Sequence, residues 1–158
     1  MEMEILKRLA IAAVLGAAVG FEREWSHKVA GLRTHSLTAI GAALFSLITI
    51  FLFEKYPSVN GVAGFDYHLI ANVVVGIGFI GAGAIMRRGS HIIGTTTAAT
   101  LWLVAAVGLA VGLGFIYGAL IATLVGYLVL VIFWQFEKRL VGRLPGARYD
   151  HSEEEEEK

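Results

Sequence analysis

Five long apolar runs alternate with short polar segments along the chain: Ile5–Phe21, Ser36–Phe53, Leu69–Met86, Thr97–Gly112 and Phe115–Phe136. A helix rises about 1.5 Å per residue and needs roughly 20 residues, at the least about 17, to cross a hydrocarbon core near 30 Å. The second, third and fifth runs reach that length unaided. The first carries Lys7 and Arg8 near its start, where long basic side chains can snorkel toward the headgroups. The fourth is long enough only if its helix begins at Thr95-Thr96-Thr97. The pattern predicts an all-α, polytopic membrane protein of five transmembrane helices over residues 1–144, followed by a disordered acidic tail over 145–158. That tail ends in Glu153–Glu157, a like-charge block that repels itself and has nothing to bury.

Composition strengthens this reading. Apolar residues make up 56% of the 158 residues and charged residues only 16%, against roughly 45–50% apolar in soluble globular chains. Mean hydropathy is +0.69. The absence of cysteine excludes disulfides and thiolate metal sites. Net charge is zero, but its distribution is uneven: most acids lie at the chain ends and most bases between apolar runs.

Basic residues predict the orientation, because short cytoplasmic loops are enriched in Lys and Arg. Five crossings gather Arg23, Lys28, Arg33, Arg87, Arg88 and the C-terminal bases from Lys138 onward on one side, leaving Lys7, Arg8 and Lys55 on the other. The first side is then cytoplasmic and the N-terminus external. Four crossings, with the fourth run re-entrant, would put the C-terminal bases beside Lys55. Trp25, Trp102 and Trp134 fall near the cytoplasmic ends of their runs, where indole rings favour the headgroup layer. A cleaved signal peptide is the alternative for the first run, but Glu2 and Glu4 suit its n-region poorly.

Within the runs, small residues recur at helical spacing: Gly16 and Gly20, Gly108 and Gly112, Gly114 and Gly118, Ala122 and Gly126. Such ridges let helix backbones approach closely, inside one molecule or across a homodimer seam. Gly76-Ile77-Gly78-Phe79-Ile80-Gly81 matches a dinucleotide fingerprint in letters, but no strand precedes it and no acid follows at the required distance. Helix packing explains these glycines better. Asn72 is the clearest polar residue inside a run, and it suits an interhelical hydrogen bond or an ion or partner site.

Two segments on the cytoplasmic side carry candidate chemistry. The first contains Glu22, Arg23, Glu24, Arg33, Thr34 and His35. Glu22 and Glu24 are weak metal candidates, because two residues apart on a helix they diverge by about 200°. Thr34 or Ser36 is placed to cap the second helix. The second segment contains Arg87, Arg88, Thr95, Thr96, Thr97, Thr100 and Trp102. Its threonines suit capping of the fourth helix, whose N-terminus beside two arginines also suits an anion. That anion would be a lipid phosphate, a partner carboxylate, or Glu22 or Glu24 of the first segment.

Taken together, Gly-Phe-Glu-Arg-Glu at 20–24, Ala-Gly-Leu-Arg-Thr-His at 30–35, Gly-Ala-Ala-Leu-Phe at 41–45, Gly-Ile-Gly-Phe-Ile-Gly-Ala-Gly at 76–83 and Thr-Thr-Ala-Ala-Thr-Leu-Trp at 96–102 make a specific set. In these motifs the chain resembles the MgtC/SapB family of bacterial membrane proteins. The resemblance implies a multi-pass inner-membrane protein linked to growth at low magnesium and, in pathogens, to survival inside host cells. It implies modulation of other membrane proteins, with Mg2+ itself a possible ligand and no other cofactor. The chain departs from the family pattern where Phe65-Asp66-Tyr67-His68 replaces Asp-Pro-x-Arg, where Asn72 replaces a glutamine, and where Ile93 replaces a basic residue. Residues 145–158 are not expected to form the C-terminal soluble domain that some members carry.

The expected classes are a membrane regulator, acting as a homodimer with other membrane proteins as partners, and, as the alternative, a transporter or channel for magnesium or another ion. An enzyme is not expected, because His-Glu-x-x-His, Gly-x-Ser-x-Gly and paired intramembrane aspartates are all missing. A transporter needs a polar path, for which the runs offer chiefly Asn72, Thr49, Ser46 and Thr123. Nothing suggests nucleic acid as a partner.

Overall fold

A computed structural model describes residues 2–56, 58–59, 62–63, 68–89 and 91–141. The expectations for Phe65-Asp66-Tyr67, for the bases beyond 141 and for the acidic tail lie outside these residues, as does the side chain of Arg88. Each apolar run is a helix: α1 (Glu2–Trp25), α2 (Leu32–Lys55), α3 (His68–Ala84), α4 (Thr95–Gly112) and α5 (Ile116–Val141). α4 does begin at the threonine run, as its length required. α1, α2 and α5 extend past their apolar runs into polar residues, which headgroups and water can solvate.

Two small antiparallel hairpins interrupt the helices. One pairs β1 (Ser58–Val59) with β2 (Val62–Ala63). The other, between α3 and α4, pairs β3 (Met86–Arg88) with β4 (His91–Ile93) in the register Met86↔Ile93, Arg87↔Ile92 and Arg88↔His91. Apolar periodicity did not predict either, because their strands are two or three residues long. Gly89 supplies the positive φ, 56°, that a tight hairpin turn requires.

The described helices establish an all-α membrane protein. α2, α4 and residues 116–136 of α5 are long and apolar enough to cross a bilayer, whereas α3 is apolar but has 17 residues. The chain divides into two compact units, 1–127 and 128–158.

Within the first unit, α2 packs against α1, α4 and α3, and α4 also packs against α1 and α3. The buried side of α2 carries His35, Ala39, Ala42, Ala43, Ser46 and Thr49, all small apart from the histidine. A Cβ placed on Gly16 of α1 would lie 2.7 Å from the His35 carbonyl oxygen and 2.9 Å from the Ala39 Cβ. On α4, a Cβ on Gly108 would collide with the Ala39 carbonyl, and one on Gly112 with the Ala43 carbonyl. The predicted ridges at 16/20 and 108/112 are therefore filled by α2 of the same chain.

Polar groups in this core are satisfied locally. The Ser46 hydroxyl reaches the carbonyl oxygens of Leu109, at 3.1 Å, and Ala42, at 3.4 Å, tying α2 to α4. Thr49 and Thr123 donate to the carbonyls four residues earlier in their own helices. At the other end of the bundle, Arg8 does more than snorkel. Its guanidinium donates to the Gly112 carbonyl at 2.8 Å while pairing with Glu4 at 3.0 Å. A cation at the negative end of α4 is favoured by the helix dipole.

The close approach makes a graded prediction. Gly108→Ala should destabilise the protein by about 1–3 kcal/mol, because the obstacle is backbone and has no rotamer to yield. Gly41→Ala meets nothing within 4 Å and should be neutral or stabilising by up to about 1 kcal/mol, through helix propensity. Unfolding midpoints in mixed micelles titrated with sodium dodecyl sulfate would separate the two variants.

Candidate functional site

The two segments singled out in the sequence meet beside the start of α2. α1 ends in a Schellman motif: Lys28 N–H donates to the Arg23 carbonyl at 2.9 Å and His27 N–H to the Glu24 carbonyl at 3.0 Å. His27 occupies the left-handed position with φ 50°, where glycine is usual. The reversal turns the chain back toward α1 within a few residues. Gly20 and Gly31 then allow contact: a Cβ on Gly20 would lie 2.7 Å from Leu32 Cα, and one on Gly31 would lie 2.6 Å from Glu24 Oε2.

That Glu24 carboxylate caps α2. It accepts the Leu32 N–H at 2.8 Å, and the N-cap residue is Gly31, with no side-chain cap of its own. The expectation that Thr34 or Ser36 caps α2 is thus corrected, because an acid brought back by the Schellman turn reaches the free N–H first. Thr34 is exposed, and its carbonyl accepts the Thr38 hydroxyl at 2.8 Å.

Glu22 and Arg23 form a forked ion pair. Arg23 Nε donates to Glu22 Oε2 at 2.7 Å and Nη2 to Oε1 at 3.1 Å, while the Ser26 hydroxyl donates to Oε1 at 2.9 Å. Arg23 is only 4% exposed, an unusual burial for a guanidinium that depends on this pairing. Burial works against ionisation of Glu22, one residue beyond its apolar run. Hydrogen bonds from Arg23 and Ser26, followed by the charges of Arg23 and Lys28, outweigh it and hold the carboxyl below its ordinary pKa.

His35 joins α2 to α4. Its ring is fully buried, with Nδ1 2.9 Å from the Gly31 carbonyl and Nε2 2.9 Å from the Thr100 hydroxyl. A carbonyl only accepts, so Nδ1 carries the proton that is donated to Gly31, and in the neutral ring Nε2 accepts from Thr100. The Thr100 oxygen also lies 2.9 Å from the Thr97 carbonyl, so one hydroxyl proton is shared between two acceptors. Both His35 and Thr100 were candidates in the sequence, but their pairing across 65 positions was not legible there.

α4 begins differently from expectation. Its N-cap is Gly94 at φ 88°, with no side-chain cap, so Thr95, Thr96 and Thr97 do not cap it. Thr95 and Thr96 are exposed, and Thr97 is buried. A Cβ on Gly94 would collide with the Ala84 carbonyl, so the chain passes directly over the end of α3. Ala30, Ala84 and Leu101 form a small buried cluster beneath this crossing. Ser26 is a position that the sequence reading missed, since a lone small residue carries no signal of its own.

The expectation that Glu22 or Glu24 is the anion beside Arg87 and Arg88 at the start of α4 is not met among the described side chains. Short-range partners win: Glu22 takes its neighbour Arg23, and Glu24 takes a backbone N–H. Arg33 is exposed, and Arg87 is exposed with Nε donating to the Gly89 carbonyl at 3.0 Å. Glu22 and Glu24 are both engaged, and no group of three or more metal-ligating acids or histidines occurs among the described residues. Trp25 and Trp102 are exposed near this end of the bundle, while Asn72 lies on an outer side of α3, away from the assembled site.

Fold and site define a class: an all-α membrane protein whose first interhelical segment and α4 start are joined by buried polar side chains. Residues 9–139 match the family model for the MgtC family. The chain belongs to the MgtC family. It is 39% identical over 143 residues to a protein of Escherichia coli strain K12 named "Putative magnesium transporter YhiD", a match covering 90% of this chain and 66% of that one. It is 45% identical over 121 residues to Protein MgtC of Salmonella typhimurium strain LT2, covering 77% of this chain and 48% of that one. The chain therefore spans from about half to just under two-thirds of the length of these relatives. No solved structure matches it.

Two measurements test the site. A double-mutant cycle of His35→Ala and Thr100→Val should show a coupling of about 0.5–1.5 kcal/mol in unfolding, the ordinary worth of one such bond. The Glu22 carboxyl, ionised more readily folded than unfolded, contributes stability that is complete above its ordinary pKa and is lost as the pH falls below 4.5. Glu22→Gln should flatten that acid limb of the stability profile.

Proposed function

We propose that this protein is a multi-pass inner-membrane protein that supports adaptation to low magnesium, and survival under such conditions, by modulating other membrane proteins. Membership of the MgtC family carries the link to magnesium. The form of action rests on the distribution of polar groups. Ser46, Thr49 and Thr123 are turned onto helix carbonyls, which leaves them poorly disposed to line a path for a hydrated divalent ion. At the end of the bundle where α1 finishes and α4 begins, Arg33 and Arg87 are exposed without a carboxylate partner among the described residues. Exposed Trp25 and Trp102 lie in the same segments. This combination suits an acidic segment of a membrane partner docking in the headgroup layer.

In this reading all five helices cross the bilayer, with the N-terminus outside and the C-terminus cytoplasmic. The protein is not an enzyme, and Glu22, Arg23 and Glu24 shape the surface while Arg33 and Arg87 make contact. The name of the E. coli relative favours a second reading, transport of magnesium.

Arg33→Ala combined with Arg87→Ala should abolish support of growth at low magnesium while leaving membrane level and unfolding midpoint unchanged. Normal growth at matched protein levels would remove these arginines from the mechanism. Magnesium flux through purified protein in liposomes, above that of an inert membrane protein, would establish the transport reading instead. A reporter fused after Glu137 should respond only in the cytoplasm, and an external response would overturn the five-span topology.

A further inference from the structure

The His35 ring is fully buried and touches nothing outside the chain, yet it joins the two parts that carry the exposed arginines. The start of α2, with Arg33, is held to α1: Glu24 accepts the Leu32 N–H, and Gly20 lies against Leu32. The start of α4, reached from Arg87 through the hairpin, is held to the end of α3, where Gly94 crosses the Ala84 carbonyl. Between these parts, among the described residues, the bond from His35 Nε2 to the Thr100 hydroxyl is the one side-chain hydrogen bond from α2 to α4 at this end. Apolar contact among Ala30, Ala84 and Leu101 joins them as well, but it carries no titratable group. Farther along, Gly108 and Gly112 press on the α2 backbone and Ser46 bonds the Leu109 carbonyl. Releasing His35 would therefore free only the ends of α2 and α4 on this side.

We propose that His35 is a proton-operated latch: the neutral ring holds the start of α4 to the start of α2, and protonation releases it and changes the spacing of Arg33 and Arg87. The latch stands on the geometry of the ring, and its bearing on partner docking rests on the function proposed above. Nδ1 is committed as a donor to the Gly31 carbonyl, so the only place for a second proton is Nε2, which faces Thr100. Hydrogen bonding alone would tolerate that proton, because the Thr100 hydroxyl can turn to the Thr97 carbonyl. Charge decides against it. Full burial and the Arg23 cation oppose a charged ring, while the Gly31 carbonyl and Glu22 favour one. Glu22, however, is already bound to Arg23 and Ser26, and no carboxylate pairs with His35. α4 contains no ionisable residue, α3 contains only His68 at its opposite end, and Arg33 on α2 itself is exposed and positive. A buried charge without a contacting counter-charge costs more than one hydrogen bond returns. The latched form therefore holds the ring neutral and the released, wetted ring binds the proton, so acid favours release. Histidine is the side chain that makes this exchange within the physiological range.

The test follows the ring and the helix ends together, in the full chain in lipid nanodiscs, from about pH 8 to about pH 5. Nitrogen-15 spectra of the ring nitrogens should show, among the five histidines, one ring protonated on Nδ1 alone at the upper pH. Its signals, absent from His35→Gln, should become those of a doubly protonated ring on acidification. Because the chain has no cysteine, spin labels attach only at Thr34→Cys and Thr96→Cys, both exposed sites. Their separation should be single-valued at the upper pH and gain a longer component, the major one by about pH 5, over the range in which the ring titrates. His35→Gln should abolish that change with pH, whichever separation it adopts. A ring that stays neutral throughout, a doubly protonated ring with the separation unchanged, or a His35→Gln chain whose separation still follows pH would each overturn the latch. The spectra of the unsubstituted ring decide the matter even where the glutamine variant does not fold. Opening of the latch alongside normal growth of the Arg33→Ala and Arg87→Ala double variant would overturn the docking reading and leave the latch standing.

Discussion

The close approach of α1 and α4 to the small-residue side of α2 is the constraint on which the rest of the structure depends. In lipid, helices gain little hydrophobic energy from one another, so association rests on dispersion contacts and hydrogen bonds. Both fall steeply with distance. Gly16 on one helix and Gly108 and Gly112 on another bring neighbouring backbones against α2, which allows the Ser46 hydroxyl to reach a carbonyl of α4. The same separation allows the His35 ring, itself a large side chain, to span to Thr100 at the end where α2 begins.

From that contact the candidate site follows by short steps. The Schellman turn after α1 is compact, so Glu24 arrives where the first free N–H of α2 needs an acceptor. Capping by a carboxylate also places negative charge at the positive end of the α2 dipole. Glu22 holds Arg23 in place beside it. With these acids engaged, the more distant Arg33 and Arg87 remain exposed. The charge pairs stabilise the local turn, and the uncompensated arginines are available to something outside the chain.

The glycines divide by environment rather than by sequence spacing. Those of α1 and α4 face helix backbones, whereas Gly76 and Gly83 of α3 face open space beside an exposed Phe79. The sequence assigned both sets to helix packing without separating them. Their difference comes from which side of each helix the bundle covers, and α3 packs mainly on α4 and leaves its outer side open.

The sequence by itself determined the helices and their membrane character, because bilayer thickness imposes a length and an apolarity that can be read from any single segment. It also marked the two polar segments and most of the candidate residues, from Glu22 to His35 and from Arg87 to Trp102, since charge between apolar runs stands out locally. What only the tertiary structure decided is who meets whom. Thr34, Ser36 and the Thr95–Thr97 run were reasonable caps by local rules, yet Gly31 and Gly94 hold the N-cap positions. His35 and Thr100 are 65 residues apart, and Arg23 took its neighbour Glu22 rather than leaving that acid for a distant arginine. The physical reason is range: burial in a membrane is a property of each segment, but a hydrogen bond depends on distances of a few tenths of an ångström. Those distances exist only after the glycines have let the helices close.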